Sequence, residues 1–170
     1  IKPSPENTGI IFKRVENKDK NIIKADFRNV SSAKLCTTLK NQSGLTISTI
    51  EHLMAAFYIT GIDNAIVEVD NLEIPIMDGS AKDFIKIIED AGIVTQNYKR
   101  KFIKINQSYS LKEDNKNISI KPNNFDFDVL FELKYSNKVI NNQSNHFSLL
   151  NDNLKDLYCS RTFCLYEDIE

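Results

Sequence analysis

The sequence contains few of the residues on which disulfide-rich and zinc-ribbon proteins depend. Its 170 residues include three cysteines, two histidines and no tryptophan. Cys36, Cys159 and Cys164 are odd in number and widely spread, which is not the pattern of a disulfide framework. Such cysteine usage is typical of a reducing compartment, so we expect a cytoplasmic protein. Cys159 and Cys164 have no further cysteine or histidine at zinc-finger spacing, which argues against a structural zinc motif.

The sequence also lacks an excess of either charge and any long apolar run. With 22 Lys+Arg against 23 Asp+Glu the net charge is -1, so no basic surface is expected for nucleic acid or anionic membrane. Apolar runs fall well short of the roughly 20 residues that a membrane-spanning helix needs, and no membrane span is expected. The length allows one domain or two small ones.

Hydrophobic periodicity in the first part of the chain predicts strands, a helix, another strand and a second helix. The first helix is expected to begin at Ser48, which forms a capping-box pattern with Glu51, and to end at Gly61. Ser80 is the predicted cap of the second helix, and Asp78 is expected to initiate the turn before it. The predicted strands are Gly9–Arg14, Ile22–Phe27, Lys34–Leu39, Leu45–Ile47 and Ala65–Val69. The predicted buried helix faces are Ile50, Leu53, Met54 and Phe57 in the first helix and Phe84, Ile85, Ile87 and Ile88 in the second.

The polar stretch TQNYKRK, residues 95–101, predicts a boundary, after which strand patterns begin again. This second unit begins like the first but shows no full set of helices. We therefore predict an α+β fold of two similar α/β sandwich units, a first domain over 1–95 and the N-terminal part of a second over 101–170. The elements predicted in the second unit are strands at Phe102–Ile105, Tyr109–Lys112, Asn117–Ile120 and Phe125–Leu133, an Asn-rich loop over 135–145, and a helix over Asn151–Tyr158.

Glu51 and His52 stand side by side in the first turn of the predicted helix. A capping glutamate beside a solvated histidine is the structural interpretation of this pair. The chemical interpretation divides two roles between them, because adjacent helical residues point roughly 100° apart and hold one metal poorly together. A neutral imidazole is a common metal ligand, and a neighbouring carboxylate can take a proton from metal-bound water. A catalytic zinc site usually has three protein ligands, and His146 is the only other histidine.

A long stretch around this pair resembles a known family. The segment STIEHLMAAFYITGIDNAIVEVDNLEIPIMDGSA, residues 48–81, is similar to the signature region of the UDP-3-O-acyl-N-acetylglucosamine deacetylases, zinc enzymes of lipid A synthesis in Gram-negative bacteria. PENTGIIFKR resembles their early strand, LCTTL the strand before the signature helix, and SRTFCLYEDIE their "ARTFGF…DIE" segment. The resemblance is strong over 31–93, weaker over 105–155 and returns at 160–170.

This resemblance implies a fold of two similar α/β units with the active site between them, and zinc as the cofactor. It implies that His52 is a zinc ligand and that Glu51 is the general base that activates the zinc-bound water. The hydroxyl of Thr162 would help to hold the reacting acetyl oxygen, and Phe163 would lie at the acyl-chain passage. Leu35 and Cys36 would be wall residues of the site. The implied products are acetate and the free amine of the acylated UDP-sugar.

The sequence also departs from the family pattern. Family members supply a His-x-x-x-Asp pair that completes the zinc site, and a further histidine as general acid, at positions that would follow Glu170. They also begin earlier, with a GVGLHTG-like strand and turn. Cys164 stands where the family usually has glycine. We therefore expect a chain truncated at both ends and inactive alone.

Other interpretations remain open on the residues alone. Cys36 can be a small buried hydrophobe, Thr162 a plain strand residue, and His146 a surface histidine. The chain as a whole can be a non-catalytic remnant that binds a nucleotide sugar or a protein partner. RNA binding by a small α/β unit is the third alternative, against which the near-neutral charge argues. The oligomeric state is not predicted.

Overall fold

A computed structural model describes residues 1–16, 19–124, 126–150 and 152–166. The α+β class predicted from the sequence is confirmed. The first strands are β1 (Lys2–Pro3), β2 (Ile10–Arg14), β3 (Ile22–Lys24), β4 (Val30–Ser32), β5 (Thr38–Lys40) and β6 (Thr46–Ile47). Next come α1 (Glu51–Thr60), β7 (Ala65–Val69) and α2 (Lys82–Ala91). The later elements are β8 (Tyr109–Glu113), β9 (Lys116–Ile120), β10 (Asp128–Lys134), β11 (Asn142–Ser148) and α3 (Leu154–Tyr158).

The main sheet has four strands in the order β1-β7-β2-β3. β2 and β7 are parallel, with Phe12 opposite Val67, while β1 and β3 are antiparallel to their neighbours. Because β7 has a partner on each side, it is an inner strand, and its predicted bounds of Ala65–Val69 are confirmed. A smaller antiparallel sheet contains β4, β5 and β6.

Two of the early strands, β3 and β5, have three residues each where the sequence predicts six. β3 ends at Lys24 because Asp26 begins a 3-10 turn over Phe27–Asn29, in which its carboxylate accepts the Arg28 backbone N–H at 3.0 Å. The predicted strand over 34–39 is reduced to β5, since Leu35 adopts a positive φ of 65° that no strand residue has.

The core lies between the main sheet and the two longer helices. Leu53 and Phe57 on α1 and Ile50 at its N-cap position are buried, and the partly buried Met54 packs against the core, as predicted. On α2 the prediction is wrong for Ile87, which is 50% exposed because it lies at the margin of the buried face. The bulkiest fully buried side chains are Phe12, Phe57, Ile23, Leu39, Ile47 and Leu53.

The described residues divide into two compact units. The first contains Ile1–Arg100 and continues from Tyr158 to the last described residue, 166. The second contains Lys101–Leu157. Residues 158–166, which the sequence pattern placed in the second unit, thus lie with the first, because they form backbone hydrogen bonds to the turn before α2. The expected domain bounds of 1–95 and 101–170 stay a prediction, and residues 167–170 lie outside the described residues.

The second unit contains two antiparallel hairpins and most of α3. β8 pairs with β9, and β10 pairs with β11 over seven residue pairs. No strand forms over 102–105. The predicted loop over 135–145 is wrong from Asn142 onward, because pairing with β10 outweighs the polar composition of β11. Phe125 and Asn151, the predicted first residues of a strand and a helix, lie outside the described residues.

In the part of the chain that the structure describes, no helix has the length and apolar character required to cross a membrane.

Candidate active site

α1 begins at Glu51, and the chain before it is held by two neighbouring segments. Ser48 donates its backbone N–H to Leu72 and accepts from Ile74, both at 3.0 Å. Its hydroxyl lies 2.9 Å from the Thr38 hydroxyl. The predicted capping box of Ser48 and Glu51 is therefore wrong, since the N-cap position is Ile50 and no side chain caps the helix. In a capping box the Glu51 carboxylate would accept the backbone N–H of Ser48. That N–H is bonded to Leu72, so the carboxylate has no capping role.

The Glu51 carboxylate instead points to the loop before β5. Its Oε2 accepts the backbone N–H of Thr37 at 2.9 Å. This contact brings the loop that carries Leu35 and Cys36 next to the start of α1. Leu35 is 73% exposed, and the half-buried Cys36 places its Sγ 3.8 Å from the Thr38 hydroxyl. The structure thus brings together three of the predicted site residues.

Thr49, which no motif in the sequence singles out, has a strained backbone two residues before α1. Its φ is 58° and its side chain is 2% exposed. A β-branched residue in the left-handed region is an outlier, with a cost of order 1–3 kcal/mol that the surroundings must offset. Here the Thr49 hydroxyl donates to the Glu73 carboxylate. Strain of this kind clusters at functional sites, which supports the start of α1 as the candidate site.

Thr162 and Phe163 follow α3, on a segment without regular structure. Thr162 donates its backbone N–H to the Gly79 carbonyl at 2.8 Å, and Ala81 donates to the Tyr158 carbonyl at 3.1 Å. Both Thr162 and Phe163 are exposed. Within the described residues, the hydrogen bonds place Thr162 on the turn before α2 and do not join it to Glu51 or His52.

Asp78 organises that turn, as predicted from the sequence. Its Oδ1 accepts the Ser80 backbone N–H at 3.1 Å and the Ser80 hydroxyl at 2.6 Å. The Lys82 ammonium donates to Oδ2 at 2.8 Å, and this bond, followed by those from Ser80, holds the pKa of the Asp78 carboxyl well below its usual range. The N-cap position of α2 is Ala81, so the predicted cap at Ser80 is wrong by one residue. The Ser80 hydroxyl still accepts the backbone N–H of Lys82, the first residue of the helix, at 3.2 Å.

The described residues do not complete a zinc site. No group of three His, Cys, Asp or Glu side chains among them could hold a metal ion. His52 is half-buried on the first turn of α1. His146 lies on β11, with its side chain 63% exposed and 3.9 Å from the Asp128 carboxylate, which agrees with its interpretation as a surface histidine. Within the described part of the chain, Glu51 and His52 therefore belong to no group of three side chains that could hold a metal ion.

An open polar cleft of about 590 Å³ occurs elsewhere in the first unit. It lies among β3, β4 and β5, with the cations Lys24, Arg28 and Lys40 around it. Arg28 is already held by the Asp26 carboxylate. The cleft does not include Glu51 or His52, so it is separate from the candidate site.

Sequence reasoning missed Thr37, Thr49 and Glu73. Thr37 acts through its backbone N–H, which no side-chain pattern reveals. Thr49 and Glu73 are distant in sequence and meet only because the 72–74 segment runs beside the 48–49 segment. All three residues lie within stretches that resemble the family, which was the available signal.

Comparison with known proteins gives one consistent family. The family model described as LpxC: UDP-3-O-acyl N-acetylglycosamine deacetylase matches residues 1–170. Curated proteins named UDP-3-O-acyl-N-acetylglucosamine deacetylase are similar along the whole chain. Those of Haemophilus ducreyi, Pseudoalteromonas atlantica and Shewanella denitrificans are 36%, 38% and 39% identical over 173 residues. The chain covers 56%, 57% and 56% of their lengths, so it spans a little over half of these relatives.

Proposed function

Because the chain belongs to the UDP-3-O-acyl N-acetylglycosamine deacetylase family, we propose that the protein removes the N-acetyl group of UDP-3-O-acyl-N-acetylglucosamine. The reaction is an amide hydrolysis that yields acetate and the free amine, and it belongs to lipid A synthesis in the cytoplasm. The observation that carries this proposal is the family match over residues 1–170, within which Glu51 is held at the start of α1 by the Thr37 N–H.

Glu51 is proposed as the general base. Of its two oxygens, Oε2 accepts the Thr37 N–H, and Oε1 has no hydrogen-bond partner among the described residues. The backbone bond fixes the orientation of the carboxylate, which leaves Oε1 available to take a proton from an attacking water. Geometry within hydrogen-bond reach of that water is the first requirement of a general base.

Thr162 is proposed to hold the reacting acetyl oxygen. A hydroxyl that donates to the developing oxyanion lowers the barrier when it is fixed beforehand. The backbone bond from Thr162 to Gly79 supplies such fixation in the first unit. Leu35, Cys36 and Phe163 are proposed as substrate-binding residues. Leu35 and Phe163 are 73% and 45% exposed, so contact with an acyl chain would remove apolar surface from water.

Zinc is proposed as the cofactor of the whole protein, with His52 as the ligand that this chain supplies. Bound zinc would polarise the amide carbonyl and acidify water. Because the described residues give no set of three ligands, a complete site needs donors from outside them, and this chain alone is expected to be inactive.

The test of the general base is Glu51→Gln in the full-length protein. Glutamine keeps an acceptor for the Thr37 N–H but cannot take a proton, so turnover is expected to fall by about 10²–10⁴-fold. Glu51→Ala is expected to behave alike and to keep zinc. The control is Glu89→Gln, which changes an exposed glutamate on α2. Acetate release and zinc content are measured together.

Near-native turnover in Glu51→Gln would refute the general-base role while leaving the family assignment intact. The alternative function is a non-catalytic protein that binds a nucleotide sugar or a protein partner, which the incomplete ligand set of the described residues favours. Full-length protein that binds the UDP-sugar, carries no stoichiometric zinc and releases no acetate would establish that alternative.

A further inference from the structure

The turn before α2 determines where Thr162 lies. Two backbone hydrogen bonds attach the returning segment to this turn, one from Thr162 to the Gly79 carbonyl and one from Ala81 to the Tyr158 carbonyl. Arg161 places its Nε 4.0 Å from Asp78 Oδ2. The segment that carries the proposed oxyanion donor is therefore positioned by residues far away in sequence.

Gly79 takes part in this contact with a backbone conformation that residues with a side chain rarely adopt. Its φ is 83°, in the region that favours glycine. Its N–H donates to the Ile76 carbonyl at 3.0 Å, and its carbonyl accepts from Thr162. A Cβ at this position would lie 3.6 Å from Thr162 Cγ2, which is ordinary contact. A substitution at Gly79 would therefore act chiefly through the backbone, by turning its carbonyl away from Thr162.

We propose that Gly79 is a positioning residue for Thr162, and that its left-handed backbone aims the carbonyl that fixes the oxyanion donor. The proposal rests on the proposed function, because it gives Thr162 its catalytic role. Asp78 supports the same geometry, since its bonds to Ser80 and Lys82 hold the turn in place. Gly79 itself touches no reacting atom.

The chain offers a control glycine with a similar φ. Gly92, at the end of α2, has a φ of 82°, and a Cβ there would meet nothing within 4 Å. Gly79→Ala and Gly92→Ala thus each place a side chain on a residue with a positive φ, but only the first disturbs a contact to Thr162. In the full-length protein, thermal unfolding of both variants is measured beside activity, so that a general loss of stability is separated from a loss of kcat.

Only Gly79→Ala is expected to lower kcat, by about 10-fold, because complete removal of an oxyanion donor costs roughly 10²–10³-fold. KM should change less than about twofold, since the affected interaction forms in the transition state. Gly79→Asn should retain more activity than Gly79→Ala, because asparagine tolerates a positive φ better. Equal kcat losses in Gly79→Ala and Gly92→Ala would overturn the proposal.

Coupling to Thr162 is tested with Thr162→Val, which removes the hydroxyl and keeps the shape. If Gly79 acts through that hydroxyl, adding Gly79→Ala to Thr162→Val should lower kcat no further. A further loss of about 10-fold in the double variant, or full activity in Thr162→Val, would contradict the positioning role.

Hydrogen exchange of the Thr162 amide provides a readout without catalysis. The amide is expected to be protected in the wild type and in Gly92→Ala, and to exchange at least about 10-fold faster in Gly79→Ala. Equal exchange in all three proteins would refute the positioning contact. A wild type with no deacetylase activity but the expected exchange pattern would instead refute the proposed function, so the two failures are distinguishable.

Discussion

The two compact units of this chain share strand content but differ in what their side chains do. In the described residues, every buried apolar side chain lies between Ile10 and Ile88, in the first unit. In the described part of the second unit, Ser148 is the only buried side chain. Strand pairing and polar side-chain contacts therefore hold the described hairpins of the second unit, whereas the first unit adds a packed apolar core.

The apolar side chains of the second unit are present but not packed. Tyr109 pairs with Ile120 and Leu111 with Ile118, so one face of this hairpin is apolar, and all four side chains are exposed. Two-stranded hairpins are marginally stable in water without a third strand or a covering helix. A strand pattern in the sequence thus predicts pairing, whereas burial also requires a partner layer.

The largest expected effect is a contrast between two phenylalanines. Phe12 is 0% exposed on β2, and Phe131 is 57% exposed on β10. Phe12→Ala should cost about 3–5 kcal/mol of unfolding free energy, because it leaves a cavity in the core. Phe131→Ala should stay within about 0.5 kcal/mol. Urea unfolding of the chain measures both, and equal losses would remove the contrast between the units.

A smaller effect is expected at the strained start of α1. Glu73→Ala leaves the buried Thr49 hydroxyl without its acceptor, which should cost about 1–3 kcal/mol. The matched control is Glu132→Ala, an exposed glutamate on β10 in the second unit. Thermal unfolding compares the two variants. If Glu73→Ala were as stable as the control, the hydrogen bond would not be what holds Thr49 in its left-handed conformation.

The smallest expected effect concerns one carboxylate in each unit whose pKa is lowered in the folded protein. In the first unit, the Lys82 ammonium and then Ser80 lower the pKa of Asp78. In the second, burial raises the pKa of Asp126, but donors led by the Ser148 hydroxyl outweigh it, so the net shift is downward. Lys82→Met should raise the pKa of Asp78 and leave that of Asp126 unchanged, as measured by NMR titration of the carboxyl carbons.

The sign of the linked stability follows from these directions. A folded-state pKa below the unfolded value of about 3.9 gives stability that is present above that pH and is lost as the pH falls. The destabilisation caused by Lys82→Met should therefore shrink as the pH drops below about 4. A destabilisation that stayed constant down to low pH would show that the charge of Asp78 is not involved.

Local sequence pattern was sufficient to predict a segment when that segment packs one of its faces into the core or forms a turn from neighbouring residues. The bounds of β7, the buried face of α1 and the stop at Gly61, whose φ is 75°, followed from periodicity and glycine chemistry. The turn at Asp78 followed from residue type, because aspartate readily accepts nearby backbone N–H groups. Each of these features depends on residues only a few positions apart.

Where partners lie far apart in sequence, local pattern failed. Ser48 has the composition of a helix cap, yet pairing with Thr38 and with the 72–74 segment takes its hydrogen bonds. β11 has the composition of a loop, yet β10 pairs with it along its length. Competition between local and tertiary hydrogen bonds settled both cases, and it is not visible in a short window of sequence.

The amino-acid sequence by itself was enough to predict the α+β class, the family, and the position of Glu51 and His52 side by side in one helical turn. Tertiary packing was needed to bond Glu51 to Thr37, to set Glu73 against Thr49, and to bring Thr162 onto Gly79. The physical reason is that periodicity and propensity act within one turn or one strand. Contacts across 14, 24 or more residues exist only once the sheet and helices have packed.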